Sequence, residues 1–295
     1  MSRGAFIVLM VLTLWTARAH ACSCSGQGPA SALTRPDQTF GVRASERLVL
    51  GQGMFNAHGQ YQAFAPSEYD RSTEYALLLA YRVRRLEVSG VLGYGARDAA
   101  LSRVADRNVG LSDTLLRMRY EGVSEPEPWQ NAVYPSLAVM ATLRLPTADA
   151  TGVAPRGLGA TEFALGLSLE RSFARVFRAG LLAEFAGRLP DTTFGVDRQL
   201  GPRASAELTL AYFATPDLVI SALAGTRWEG NVSVQRRVRS GTAQRLTEIG
   251  AAISFQPWSS PLRAGFAERY APPIDGLSAN TVAALSSEFW LGYVR

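Results

Sequence analysis

Residues 162–170 (E-F-A-L-G-L-S-L-E) alternate strictly. Phe163, Leu165, Leu167 and Leu169 fall on one parity; Glu162, Ala164, Gly166, Ser168 and Glu170 fall on the other. Period two is the spacing of a β-strand, whose successive side chains point to opposite faces. The pattern recurs along most of the chain and predicts about twelve strands. They lie near 40–53, 72–84, 86–97, 109–122, 133–145, 160–171, 174–187, 203–214, 217–229, 243–256, 261–271 and 281–294. In the second, Tyr75, Leu77, Leu79, Tyr81 and Val83 oppose Ala76, Leu78, Ala80, Arg82 and Arg84. In the fourth, Leu116, Met118 and Tyr120 oppose Leu115, Arg117 and Arg119.

A soluble β-protein buries its apolar faces in a private core. Twelve strands with one greasy and one polar parity instead predict a transmembrane antiparallel up-and-down β-barrel, with lipid outside and polar side chains inside. The spacing of the connections agrees. Short turns at Arg171–Ser172, Thr215–Asp217 and Gln256–Pro261 alternate with long polar loops at Asn56–Asp70, Asp98–Asn108, Pro146–Gly159, Leu189–Gly201, Asn231–Gly241 and Pro272–Ala279. Glu121–Tyr134 is long where a short turn is due. Tyr81, Tyr94, Tyr120, Tyr212, Trp228, Phe255, Phe289 and Tyr293 sit near strand ends, where aromatic rings favour a membrane interface.

The N-terminus reads as an export signal over residues 1–21. Arg3 gives the positive start, 5–15 the apolar run, and Ala19-His20-Ala21 a small-x-small cleavage site. Residues 22–37, which hold both cysteines, Cys22 and Cys24, read as a flexible periplasmic tail, leaving 38–295 for the barrel. Composition excludes little else. Mean hydropathy is close to zero, as expected when only alternate positions are apolar. The net charge of +5 comes from arginines with no lysine, interleaved with acids and not gathered into a basic block, so nucleic-acid binding is not expected.

The polar parity supplies the candidate lumen-lining set. It comprises Arg82, Arg84, Asp113, Arg117, Arg119, Arg144, Glu162, Glu170, Arg178, Glu184, Arg203, Glu207, Arg227, Glu248 and Arg263. Opposite charges on neighbouring strands predict pairs, such as Arg178 with Glu162 or Glu170 and Arg203 with Glu184. Such charges either stiffen and plug a barrel or line a solute path. No catalytic, cofactor or metal residues are expected. Beyond the signal the one histidine is His58, in a predicted loop without a serine partner. Two cysteines do not make a zinc site. The glycine-rich 157–160 precedes a strand and not a helix, so it is no phosphate cradle.

Three local patterns resemble the outer-membrane transporter family associated with phenol meta-cleavage pathways. They are Gly110-Leu111-Ser112-Asp113 running to Arg119-Tyr120; Leu143-Arg144-Leu145-Pro146-Thr147 followed by Gly157-Leu158-Gly159-Ala160-Thr161; and the last strands, Pro261-Leu262-Arg263 through Phe289-Trp290-Leu291-Gly292-Tyr293. Ser112 and Ala148 stand where that family has glycine, and Arg295 replaces a terminal aromatic, so Tyr293 and Leu291 would have to serve barrel-assembly machinery. The resemblance implies a barrel in the outer membrane of a Gram-negative bacterium, among its lipids. It would pass small hydrophobic or aromatic solutes. Independently of the resemblance, the route expected is passive, through the lumen or a lateral opening, and Gly90, Gly93 and Gly95 either mark a gap in the third strand or relieve crowding there. The alternatives are a non-transporting surface barrel whose loops bind a partner, and an outer-membrane hydrolase.

Overall fold

Alternation of this kind has one closed solution in hydrocarbon. Every backbone donor and acceptor must pair within the protein, and a sheet does so only when its edges meet. In a computed structural model, which describes residues 38–101, 104–123, 135–150, 154–173, 176–193, 196–215, 217–257 and 260–295, the edges do meet. The wall strands are β1 (Phe40–Phe55), β2 (Tyr69–Val83), β3 (Leu86–Leu101), β4 (Thr114–Val123), β5 (Ser136–Leu145) and β6 (Glu162–Phe173). They continue with β7 (Phe177–Arg188), β8 (Arg203–Phe213), β9 (Leu218–Glu229), β10 (Gln244–Phe255), β11 (Leu262–Tyr270) and β12 (Thr281–Val294). The main sheet has fourteen strands; setting aside two accessory strands, Tyr61–Ala63 and Val104–Leu111, leaves twelve in the wall. Each pairs antiparallel with its neighbours, and β12 pairs with β1 from Gly41↔Val294 to Phe55↔Thr281, closing the barrel.

Side chains alternate as the sequence requires. On β6, Leu165 is 71% exposed on the outer surface, whereas Ser168 is 7% exposed inside. The outer surface carries Leu48, Leu50, Tyr75, Leu77, Leu79, Leu116, Met118, Phe163, Leu181, Phe185, Leu208, Leu210, Ile249 and Ile253. Such an apolar surface is stable only in hydrocarbon. The anticipated aromatics, Tyr81 and Tyr293 at one level and Tyr94 and Trp228 at another, all lie on it.

The backbone nitrogens of Thr39 and Phe40 donate to the Arg295 carbonyl, so both ends of the described barrel lie at one rim. The turn at Arg84–Arg85 and the long connection from β4 to β5 are at that rim, and the other long connections are at the opposite one. The wall is uneven in height. β12, β1, β2 and β3 run 14–16 residues, while β4, β5 and β11 run only 9–10. About ten residues suffice to cross hydrocarbon, so the tall side projects beyond it.

Several sequence expectations are corrected. The expected loop at 98–108 is largely strand: β3 continues to Leu101 and pairs with Val104–Leu111, so the fourth wall strand starts at Thr114 and not near 109. Arg171 and Ser172 are within β6, and the turn falls later. The loops at 189–201 and 231–241 form a small four-stranded sheet from Asp191–Thr193, Val196–Gln199, Ser233–Val234 and Arg237–Val238. Backbone groups that leave the wall still need partners, and they find them by pairing above it. The expected signal and tail at 1–37, and most of the long connection at 124–134, lie outside the described residues.

Candidate functional site

The inner surface is organised by charge. At the long-loop rim a network spans five adjacent strands, β5 to β9. The Glu162 carboxylate accepts from Arg188 Nε at 2.7 Å and Arg203 Nη2 at 2.9 Å, with Arg144 Nε 3.8 Å away. Arg203 also reaches Glu184 at 2.5 Å, and Arg188 reaches Glu229 at 2.8 Å. Arg117 donates to Thr142 Oγ1 and stands 4.0 Å from Glu184. Cross-strand register makes this possible: Glu162 lies opposite Arg144 on one side and Arg188 on the other.

A second set stiffens the opposite rim. Arg82 pairs with Glu87 at 2.6 Å, both buried, across the β2–β3 turn. Arg178 stands 3.8 Å from Glu170 and donates to Ser172; Glu162, the other candidate partner, lies at the far end of β6. Arg119 stands 3.8 Å from Glu121, and Arg263 donates to the Pro257 carbonyl. Arg43 pairs with Glu288 at 2.6 Å and lies 4.6 Å over the Trp290 ring. The Trp290 indole in turn lies against Gly265, where a Cβ would come within 2.4 Å of it.

Two candidate residues belong neither to these sets nor to the cavities between them. Arg84 is exposed in the rim turn with φ of 54°, outside the strand wall that its parity implied. Asp113 lies between the accessory strand and β4, where its carboxylate accepts from the backbone nitrogens of Ala148 and Leu158. It thereby anchors the loop 146–161, whose Arg156 donates to Asn108 and to the Leu111 carbonyl.

Between the rims, the lumen holds two cavities of about 290 Å³ each. The upper reaches toward Asp70, Arg97 and Arg156; the lower toward Glu184, Glu207, Arg269 and Glu288. Arg47, Arg227, Leu246, Glu248 and Ser286 line both, so the cavities adjoin. Arg269 pairs with Glu207 at 2.7 Å, and Arg97 holds Asp70 through two hydrogen bonds of 2.6 and 2.9 Å. Arg47 was not among the sequence candidates. The parity of β1 points Arg43 and Arg47 inward opposite Leu48 and Leu50, but Glu46 on the greasy parity hides the alternation.

Glu46 belongs to a third feature, a groove of about 790 Å³ on the outer face. It is lined by Tyr75, Leu77, Leu92, Tyr94, Phe289 and Leu291, with Glu46 beside Tyr75. Here the wall ladder is interrupted. β3 pairs with β4 only up to Val91↔Leu115, and with the accessory strand only from Tyr94↔Leu111. Leu92 and Gly93 therefore have no wall partner on that side beyond one bond from Ser112 N to the Gly93 carbonyl. A Cβ on Gly93 would meet Ser112 at 2.8 Å and the Glu74 carboxylate at 2.9 Å.

Neither a protein-family model nor a curated protein matches the chain. Among solved structures, the fold is that of outer-membrane β-barrels. An outer membrane channel from Pseudomonas putida F1 matches with a TM-score of 0.76 at 12% identity, over 91% of this chain and all of that one. The β domain of the Bordetella autotransporter BrkA matches with a TM-score of 0.52 at 13% identity, covering 87% of this chain and 100% of that one. The translocator domain of the autotransporter NalP from Neisseria meningitidis matches at 0.51 and 12%, over 98% and 96%.

Proposed function

We propose that the protein is a passive outer-membrane channel for small solutes, and no enzyme. The observation that carries this reading is the pair of adjoining luminal cavities, lined by charged side chains and flanked on either side by rims of ion pairs. A barrel made only to hold loops at the surface has no need to leave its lumen unfilled. Cavities of about 290 Å³ lie just below the roughly 300–1,000 Å³ of ordinary ligand pockets, so the solutes are small molecules. Purified protein in liposomes should admit solutes of this size and exclude disaccharides in osmotic swelling. Liposomes no more permeable than protein-free ones would favour the non-transporting surface barrel.

A second route is favoured by the interrupted ladder at Leu92–Gly93 beside the apolar groove. Hydrophobic or aromatic solutes, the class implied by the resemblance to the meta-pathway family, would pass between lumen and hydrocarbon there without crossing the ion-paired rim. Filling the groove beside this gap with Leu92→Trp should reduce uptake of a neutral aromatic such as toluene in whole cells and leave swelling by small polar solutes unchanged. Unaltered toluene uptake in that variant would remove the lateral route. The hydrolase reading rests on His58, an exposed loop residue; esterase activity that disappears in His58→Ala would restore it.

A further inference from the structure

Most luminal charges are already satisfied by one another, so the informative ones are those that are not. Arg203, Arg188, Arg269, Arg97 and Arg43 each hold a carboxylate within 3 Å. Arg47 has only the Ser286 hydroxyl, at 2.8 Å from its Nε. Arg227 has Glu229 no closer than 3.6 Å and its side chain is 46% exposed. Glu74 and Glu248 carry no hydrogen bond or ion pair among the described residues. All four line the upper cavity, and Arg47, Arg227 and Glu248 line the lower one as well.

The arrangement follows from register. Arg47 on β1 lies directly opposite Glu74 on β2, yet the Ser286 hydroxyl on β12 holds its guanidinium and no ion pair forms. On β9 and β10, Gly225 lies opposite Glu248, which places Arg227 diagonally from that carboxylate. Two cations and two anions are thus held beside a single space with no direct ion pair among the four. A neutral solute entering it would strip water from four charges without replacing the lost hydrogen bonds, which is costly. A simple anion would satisfy the guanidiniums and leave both carboxylates facing it. A solute carrying one carboxylate and one ammonium satisfies both signs, with charge-assisted hydrogen bonds at each end.

We infer that the upper cavity, lined by Arg47, Arg227, Glu74 and Glu248 and adjoining the lower one, is a binding site for small zwitterions of the short amino-acid kind. The inference rests on the channel reading and names the solute class for the luminal route. Its test is calorimetric titration of the full-length protein in detergent with β-alanine, propionate and propionamide, three solutes of similar size and different charge. β-Alanine should bind, propionate about fivefold more weakly, the scale of one exposed charge-pair contact, and propionamide should give no binding heat. Arg47→Gln and Glu248→Gln should each weaken β-alanine about fivefold on the same reasoning. The isosteric Glu248→Gln carries the test if Arg47→Gln fails to fold. Propionate binding as tightly as β-alanine, no β-alanine binding, or affinity unmoved in Glu248→Gln would overturn the site. Ionic current in planar bilayers separates the two readings: binding without current refutes the channel and leaves the site, whereas current without binding refutes the site alone.

Discussion

The two sides of the lumen use the same residue types to opposite ends. Along β5–β9, Arg144, Arg188 and Arg203 converge on Glu162, and Glu184 and Glu229 complete a network with little room between its members. On the side of β1, β2, β9 and β10, Arg47, Glu74, Arg227 and Glu248 stand around open space. The outer wall differs in step: apart from one bulge at Glu121–Val123 it is laddered from β4 to β9, but it is interrupted at Leu92–Gly93 on the tall side. Saturated charges act as a brace that fixes register. Unsaturated charges beside a cavity have their hydrogen-bonding capacity left for a solute.

The brace can be broken most severely at its hub. Glu162→Gln leaves Arg188 with Glu229 alone and Arg203 with Glu184 alone, and the loss of two charge-assisted hydrogen bonds costs about 3 kcal/mol or more. Urea unfolding from detergent, followed by heat-modifiable migration, should register that loss; a change near zero would mean that the network does not hold the wall. Arg82→Gln, which removes the 2.6 Å charged hydrogen bond to buried Glu87 across a single turn, should cost less, about 2 kcal/mol. A smaller effect is expected at Asp113. Asp113→Asn weakens two backbone hydrogen bonds to the loop 146–161, worth about 1 kcal/mol at a partly exposed site, and should appear as faster protease nicking of that loop with unfolding unchanged. Least of all, Arg84→Gln at the exposed rim turn should alter stability by no more than about 0.5 kcal/mol and leave conductance unchanged; a conductance change would return Arg84 to the lumen.

Much of this was legible in the chain because hydrocarbon and water impose period two on whatever lies between them. β6 and β8 alternate through their membrane-crossing parts and β7 does so but for Leu182 on the inner parity, and the Arg203–Glu184 pair, diagonal across the ladder, followed from parity. Outside the hydrocarbon that constraint lapses. Val104–Leu111 and the small sheet of the loops pair because their backbones need partners, and their mixed sequences do not announce it. Arg171 and Ser172 resembled a turn because a charge lies on the outer parity at a rim, where the membrane no longer forbids it. Arg47 escaped notice for a related reason: Glu46, outward beside Tyr75, places charges on both parities of β1. The distinction between braced and open charges depends on side-chain reach across strands remote in sequence, which periodicity does not carry.

The solute path is tested most directly by current through single molecules in planar bilayers, using Ser286→Cys with Cys22 and Cys24 replaced by serine. Ser286 lines both cavities, so a small steady conductance should fall stepwise when a water-soluble charged thiol reagent reaches that position. A barrel that inserts and carries no current, or one whose current ignores the modified cysteine, would contradict a water-filled path at this junction.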